Sequence, residues 1–168
     1  TDTPITIKER EKQRLVYKDS SSDILEDGFA TLFLNRVNFS GVLDGGPIGG
    51  LSQSGTYKID CRFNKSEIAK KIEEVALLKS RISIYNCDAS ELIIKHLKDK
   101  SDTVFFNIDP PYVIKGSQLY TNYFKEDDHR NLEKVISAHL RNVPWIITYD
   151  DCDLIREIYS RYHMSGYA

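Results

Sequence analysis

From Arg81 onward the chain alternates strand-like and helix-like segments, and this alternation constrains its fold more than any other feature. Ile82–Asn86 is a short β-branched run, and Asp88 with Glu91 reads as the start of a helix carrying Leu92, Ile93 and Leu97. Thr103–Ile108 is almost continuously apolar, the pattern of a strand buried on both faces. A helix is expected from about Glu126 to Arg141. Its inner side would carry Leu132, Val135, Ile136 and Leu140, and Glu126, Asp127 and Asp128 would favour its positive N-terminus. Pro144–Tyr149 reads as a third strand and Asp151–Tyr162 as a last helix, with Leu154, Ile155, Ile158 and Tyr159 facing inward. Strands separated by helices cannot pair as tight hairpins. The expected class is therefore α/β, a mainly parallel sheet covered on both faces.

The preceding half is organised differently. Thr1–Ser22 is polar and charge-mixed, with Lys8, Glu9, Arg10, Glu11, Lys12 and Arg14 in one run, and reads as a solvated helix or a mobile arm. Asp23 followed by Glu26 resembles a capping box, and Leu25, Phe29, Leu32 and Phe33 recur at helical spacing, so a helix with one buried face is expected over Asp23–Asn35. Gly41–Gly55 holds six of the nine glycines plus Pro47. Its spacing is not that of a phosphate-cradling loop, and a flexible loop or hairpin is expected. Asn64 with Glu67 opens a further helix bearing Ile68, Ile72, Val75 and Leu78.

Composition serves mainly to exclude. In 168 residues, 40% hydrophobic and 29% charged, there is too much apolar material for a disordered tail, and no apolar run is long enough to span a membrane. Cys61, Cys87 and Cys152 are far apart and odd in number, which argues for reduced thiols in a cytoplasmic setting. The formal charge of −2 conceals a local +3 over Lys58–Arg81, where seven Lys/Arg meet four acids. Lys58, Arg62 and Lys65 are candidates for phosphate contact, whereas Lys70, Lys71 and Lys79 read as an ordinary solvated helix face. His96, His129, His139 and His163 lack metal-ligand spacing, so no metal is expected.

The chemistry-bearing motif is Asp109-Pro110-Pro111-Tyr112, immediately after the apolar strand. Ligands of open α/β sheets collect beyond the carboxyl ends of strands. Two prolines fix φ and leave carbonyls without N–H donors, Asp109 adds a carboxylate acceptor, and Tyr112 adds an aromatic face. A stiff acceptor array beside a stacking surface suits a planar group carrying an NH₂, such as an exocyclic base amine. Taken alone, the tetrapeptide equally fits a plain strand-ending turn.

Its surroundings carry a family resemblance. Phe106-Asn107-Ile108-Asp109-Pro110-Pro111-Tyr112 resembles motif IV of DNA amino-methyltransferases. Leu119–Phe124 with Asp128, His129 and Leu132 is similar to the segment that follows it in Dam-type (alpha-class) DNA adenine N6-methyltransferases, and Pro144–Asp151 with Leu154–Tyr159 resembles that family's next strand and helix. Leu32-Phe33-Leu34-Asn35-Arg36 with Phe39-Ser40-Gly41 is similar to its Leu-Asn-Arg…Phe-Asn-Gly segment, with Ser40 in place of Asn. The resemblance covers about 23–162 and implies a Rossmann-like methyltransferase sheet, S-adenosylmethionine as methyl donor, and double-stranded DNA as partner. It implies catalytic roles for Asp109, Pro110, Pro111 and Tyr112, and cofactor contacts for Asp88, Ala89 and Asp109. Asn35 and Arg36 become DNA-contact candidates, Tyr57-Lys58 and Arg62-Phe63 fall at the family's target-recognition hairpin, and Tyr120 and Tyr123 would hold an extruded base or bury the loop. For Phe124 a core role is expected. Asp88 equally fits a simple helix cap.

The family's glycine-containing cofactor loop has no counterpart in the sequence. The chain is therefore expected to be a fragment, with the missing strands supplied by an absent N-terminal segment or another polypeptide. The expected layout is a polar arm over 1–22, part of the recognition region over 23–65, and part of the catalytic domain over 66–168. Cytosine-N4 or RNA amino-methylation remains an alternative, because the same acceptors serve any exocyclic amine, and a catalytically inactive DNA-binding element is another. Covalent C5-cytosine chemistry is disfavoured, since no Pro-Cys dipeptide supplies its nucleophile. The setting would be bacterial or phage-type, in restriction–modification, regulatory or phage methylation.

Overall fold

The computed structural model describes residues 2–19, 23–97, 104–114 and 123–166. The chain forms two compact units, Thr1–Ser83 and Ile84–Ala168. Among the described residues no helix is long and apolar enough to cross a membrane.

The first unit is built on α1 (Ile7–Lys18) packed against α2 (Ile24–Val37). Thr6 caps α1 by accepting from the Glu9 N–H, and the Asp23 carboxylate caps α2 by accepting from the Leu25 and Glu26 N–H groups. The α2 face is shifted from the expected one: Ala30, Phe33, Leu34 and Val37 are buried, while Leu25 is exposed. Phe33, Val37 and Ile59 form the core, with Phe29 and Phe63 packed on it at centroid distances of 5.9 and 5.3 Å from Phe33.

The polar N-terminal run is a helix but not a solvated one. Arg10 and Gln13 are buried in it. The Arg10 guanidinium donates to Asn38 Oδ1 at 2.7 Å and to the Gly45 carbonyl at 2.6 Å, and pairs with Glu11 at 2.6 Å. Asn38 Nδ2 in turn donates to the Val42 and Leu43 carbonyls at 2.9 and 2.7 Å. Burial pulls the Arg10 pKa below its ordinary value, and the Glu11 carboxylate opposes that fall.

One arginine and one asparagine thereby shape the start of the glycine-rich stretch. It is a turn-rich coil closed by the single antiparallel bridge Asn38↔Pro47, with no hairpin of paired strands. Its second half is laced by Gln53, whose amide donates to the Ile48 and Gly50 carbonyls and accepts from the Ile59 N–H. Gly49 has φ +81°, and a Cβ there would stand 2.5 Å from the Tyr57 carbonyl oxygen.

Helix α3 (Lys65–Ala76) starts at the Asn64 cap, whose side chain accepts from the Glu67 N–H. None of its residues is buried, and Ile72, Val75 and the following Leu78 are exposed, contrary to the core face expected of them. Helical spacing aligns apolar residues on one side, but it does not supply the surface that covers them.

In the second unit, β1 (Phe106–Ile108) pairs in parallel with β2 (Trp145–Ile147), in the register Phe106↔Trp145, Asn107↔Ile146 and Ile108↔Ile147. Its helices among the described residues are α4 (Ala89–Leu97), α5 (Glu126–His139) and α6 (Asp153–Ile158). Ile93, Ile108, Leu132, Ile136, Leu140, Ile155 and Tyr159 make one core.

Two expectations fail here. Ile82–Asn86 is not a strand: it has no ladder partner among the described residues, and Ile84 is 91% exposed. β1 is shorter than the apolar run that contains it, and Phe105, Asn107 and Ile146 are exposed, so the described sheet is covered on one face only.

His129 is buried at the α5 N-terminus, edge-on to Phe124 and Tyr149, with Nδ1 2.9 Å from Tyr149 Oη. Nε2 has no hydrogen-bond partner among the described residues. A proton on Nδ1 donated to Tyr149 satisfies the ring at least cost, and a second proton on Nε2 would be buried without an acceptor. Burial accordingly lowers the His129 pKa, against the opposing pull of the Asp128 and Asp150 carboxylates.

Two outcomes are expected. Arg10→Ala leaves Asn38 Oδ1 and the Gly45 carbonyl without their donor, and should cost about 2–4 kcal/mol in urea unfolding followed by circular dichroism. For His129, the unfolded chain binds a proton near the ordinary value of 6.5 while the folded chain resists it. Stability should therefore fall as pH drops through and below that value, and His129→Gln should flatten the profile in thermal melts across that range.

Candidate active site

The site is built where β1 ends. The Thr148 N–H donates to the Ile108 carbonyl at 3.1 Å, extending the parallel ladder one step past β2. That step places Thr148 beside Asp109, and the Thr148 hydroxyl donates to Asp109 Oδ1 at 2.6 Å. Asp109 is exposed, Pro110 is buried, and Pro111 and Tyr112 are half-buried. The consecutive prolines ask for no hydrogen-bond acceptors, and donors resume after them. The Val113 N–H donates to Asp150 Oδ1 at 2.9 Å, and the Ile114 N–H donates to Asp150 Oδ2 at 2.6 Å.

Between Thr148 and Asp150, Tyr149 turns inward onto His129 and packs beside Tyr159, at 5.8 Å between ring centroids. Burial pushes the pKa values of both tyrosines well above the ordinary phenol value, so both stay protonated. Phe124 packs against the same core, the role expected of it. Val113, just after the tetrapeptide, packs on the same core, while the Asp109 carboxylate is exposed.

The remaining candidates are dispersed. Asp88 caps α4, its Oδ1 accepting from the Ser90 N–H at 2.8 Å, and Ala89 begins that helix. No described contact joins Asp88 to Asp109. Tyr123 is about half exposed just ahead of α5, and Tyr120 lies outside the described residues.

The DNA-contact candidates Asn35, Arg36, Lys58, Arg62 and Lys65 all fall in the first unit. Asn35 donates to the Gly41 carbonyl from the last turn of α2, where Arg36 is half-buried. The Lys58 ammonium is hydrogen-bonded to the Gln53 carbonyl, so part of its donor capacity is spent inside the loop. Arg62 is exposed. Lys65 opens α3 and borders an apolar groove lined by Phe29, Phe63, Ile68 and Ile72. Lys70 and Lys71 pair with Glu74 and Glu67 on an exposed helix face, as expected of them. Among the described residues no group of three His, Cys, Asp or Glu side chains is placed to hold a metal ion.

Thr148 and Asp150 bond the motif segment and were not singled out from the sequence. A signal for them was present. In a parallel pair the carboxyl ends of both strands open at the same edge, so the residues after β2 must border the motif after β1.

The family model described as D12 class N6 adenine-specific DNA methyltransferase matches residues 5–166. Neither a curated protein nor a solved structure matches the chain. The family match runs through both units and includes the Asp109–Tyr112 loop with its Thr148–Asp150 support. The chain therefore belongs to the D12 class of N6 adenine-specific DNA methyltransferases.

Proposed function

We propose that the chain is part of an enzyme that transfers a methyl group from S-adenosylmethionine to N6 of an adenine rotated out of double-stranded DNA, within a Rossmann-like methyltransferase sheet. The observation that carries this reading is the acceptor loop at the carboxyl edge of β1, with Asp109 exposed and held from one side. Asp109 and the Pro110 carbonyl accept the two N–H bonds of the amine. That favours a more tetrahedral nitrogen, whose lone pair is otherwise delocalised into the ring, and it stabilises the positive charge that develops on nitrogen. Pro111 stiffens the loop, and Tyr112 stacks on the base, whose extrusion costs a few kcal/mol. No protein nucleophile or strong base is needed, because the amine becomes acidic as it is alkylated and its proton leaves through the acceptors.

The residues present supply part of a cofactor site, and the family's glycine-containing loop would complete it. Asp109 and Asp88 supply carboxylate acceptors, at the end of β1 and the start of α4, suited to a donor-rich sulfonium cation. Asp88, with the Ala89 amide, and Asp109 would hold it, and when bound it supplies the methyl group. Part of target recognition is assigned to 23–65, with Asn35, Arg36, Lys58, Arg62 and Lys65 as contacts, and catalysis to 66–168. Tyr120 and Tyr123 would steady the extruded base.

Asp109→Ala should abolish methyl transfer to an adenine-containing duplex, read by mass spectrometry of the digested DNA, while leaving the duplex affinity within about threefold. Retained turnover would remove the acceptor mechanism, and methyl groups appearing on cytosine N4 would reassign the substrate.

A further inference from the structure

Two side chains that bond the Asp109–Ile114 segment, Thr148 and Asp150, take no part in the chemistry above. An exposed carboxylate without a partner turns freely about its side-chain torsions, and an acceptor that must meet an amine in one geometry loses rate to that freedom. Asp109 is not free in this way. Thr148, β-branched and stiff at χ1, directs its hydroxyl at Oδ1 over 2.6 Å, a charge-assisted bond that leaves Oδ2 available. Just after Tyr112, both oxygens of Asp150 accept from the successive Val113 and Ile114 N–H groups. Tyr149, between the two, is anchored in the core on His129. Thr148 and Asp150, on either side of the core-anchored Tyr149, thus hold the segment after β1 at Asp109 and at Val113–Ile114.

We propose that Thr148 and Asp150 are positioning residues for amine recognition. Thr148 holds Asp109 Oδ1 so that Oδ2 faces the substrate amine, and Asp150 fixes the backbone just after Tyr112 by binding the Val113 and Ile114 amides. This rests on the acceptor role proposed for Asp109, so the test carries readouts that do not depend on turnover. Thr148→Val preserves shape and removes the donor; Thr148→Ser restores it.

Thr148→Val should lower kcat on adenine-containing duplex by about 10- to 100-fold with KM for DNA changed less than about threefold, and Thr148→Ser should recover most of the rate. The ¹³C carboxyl resonance of Asp109 should move in Thr148→Val and return in Thr148→Ser. Asp150→Ala should speed hydrogen exchange at the Val113 and Ile114 amides by about tenfold or more while the α5 amides keep their rates.

A wild-type kcat or an unmoved Asp109 resonance in Thr148→Val overturns the proposal for Thr148, as does equal loss in Thr148→Ser. Unchanged exchange at Val113 and Ile114 in Asp150→Ala overturns it for Asp150. If the unaltered enzyme, with its cofactor-binding segment supplied, methylates no adenine, the proposed function falls, and the resonance and exchange measurements still decide the positioning.

Discussion

The parallel pairing of β1 with β2 is the interaction on which the site depends. It brings together Asp109 and Thr148, 39 positions apart in the chain, and sets them side by side because the register matches Ile108 to Ile147. A three-residue parallel pair does not sustain itself in water. Its stability comes from Ile108 packing with Leu132, Ile136 and Leu140, and from Ile155 and Tyr159 of the following helix and its end. Loss of that packing would let the two carboxyl ends separate, and with them the loop and its supports. The geometry of the loop is therefore a property of the hydrophobic core at one remove.

The first unit has a comparable dependence on a polar centre. Buried charge costs more than it contributes unless its hydrogen bonds are completed, and Arg10 completes them through Asn38, Gly45 and Glu11. Its effect is to help specify one conformation for the start of a glycine-rich stretch. Gln53 repeats the device further along, answering three backbone groups with one amide. Both are single polar side chains standing in for a strand ladder.

Much of this was readable beforehand where the determining interactions are local. The Asp23, Asn64 and Asp88 caps, the α5 boundaries and the inward residues of α5 follow from spacing and capping within one or two turns. Readings that needed a partner were weaker. Ile82–Asn86 has strand composition, yet a strand exists only through its neighbour's hydrogen bonds. The stripe Ile72, Val75 and Leu78 has core spacing, yet no described surface covers it. Arg10 and Gln13 sit in a run that looks solvated because a polar side chain gives no local sign of a buried acceptor waiting for it. Asp109–Tyr112 could be picked out because its chemistry lies in four adjacent residues, whereas Thr148 and Asp150 look unremarkable until β2 is laid beside β1.

The amino-acid order by itself determined the helices, their caps, the acceptor loop and the family to which the chain belongs, since each is written in residues close together or in a fixed succession of motifs. Tertiary structure alone decided which strands pair, which faces are covered, and which oxygen of Asp109 is held. Those depend on contacts between residues tens of positions apart, whose free energy comes from burial and register that no local pattern encodes.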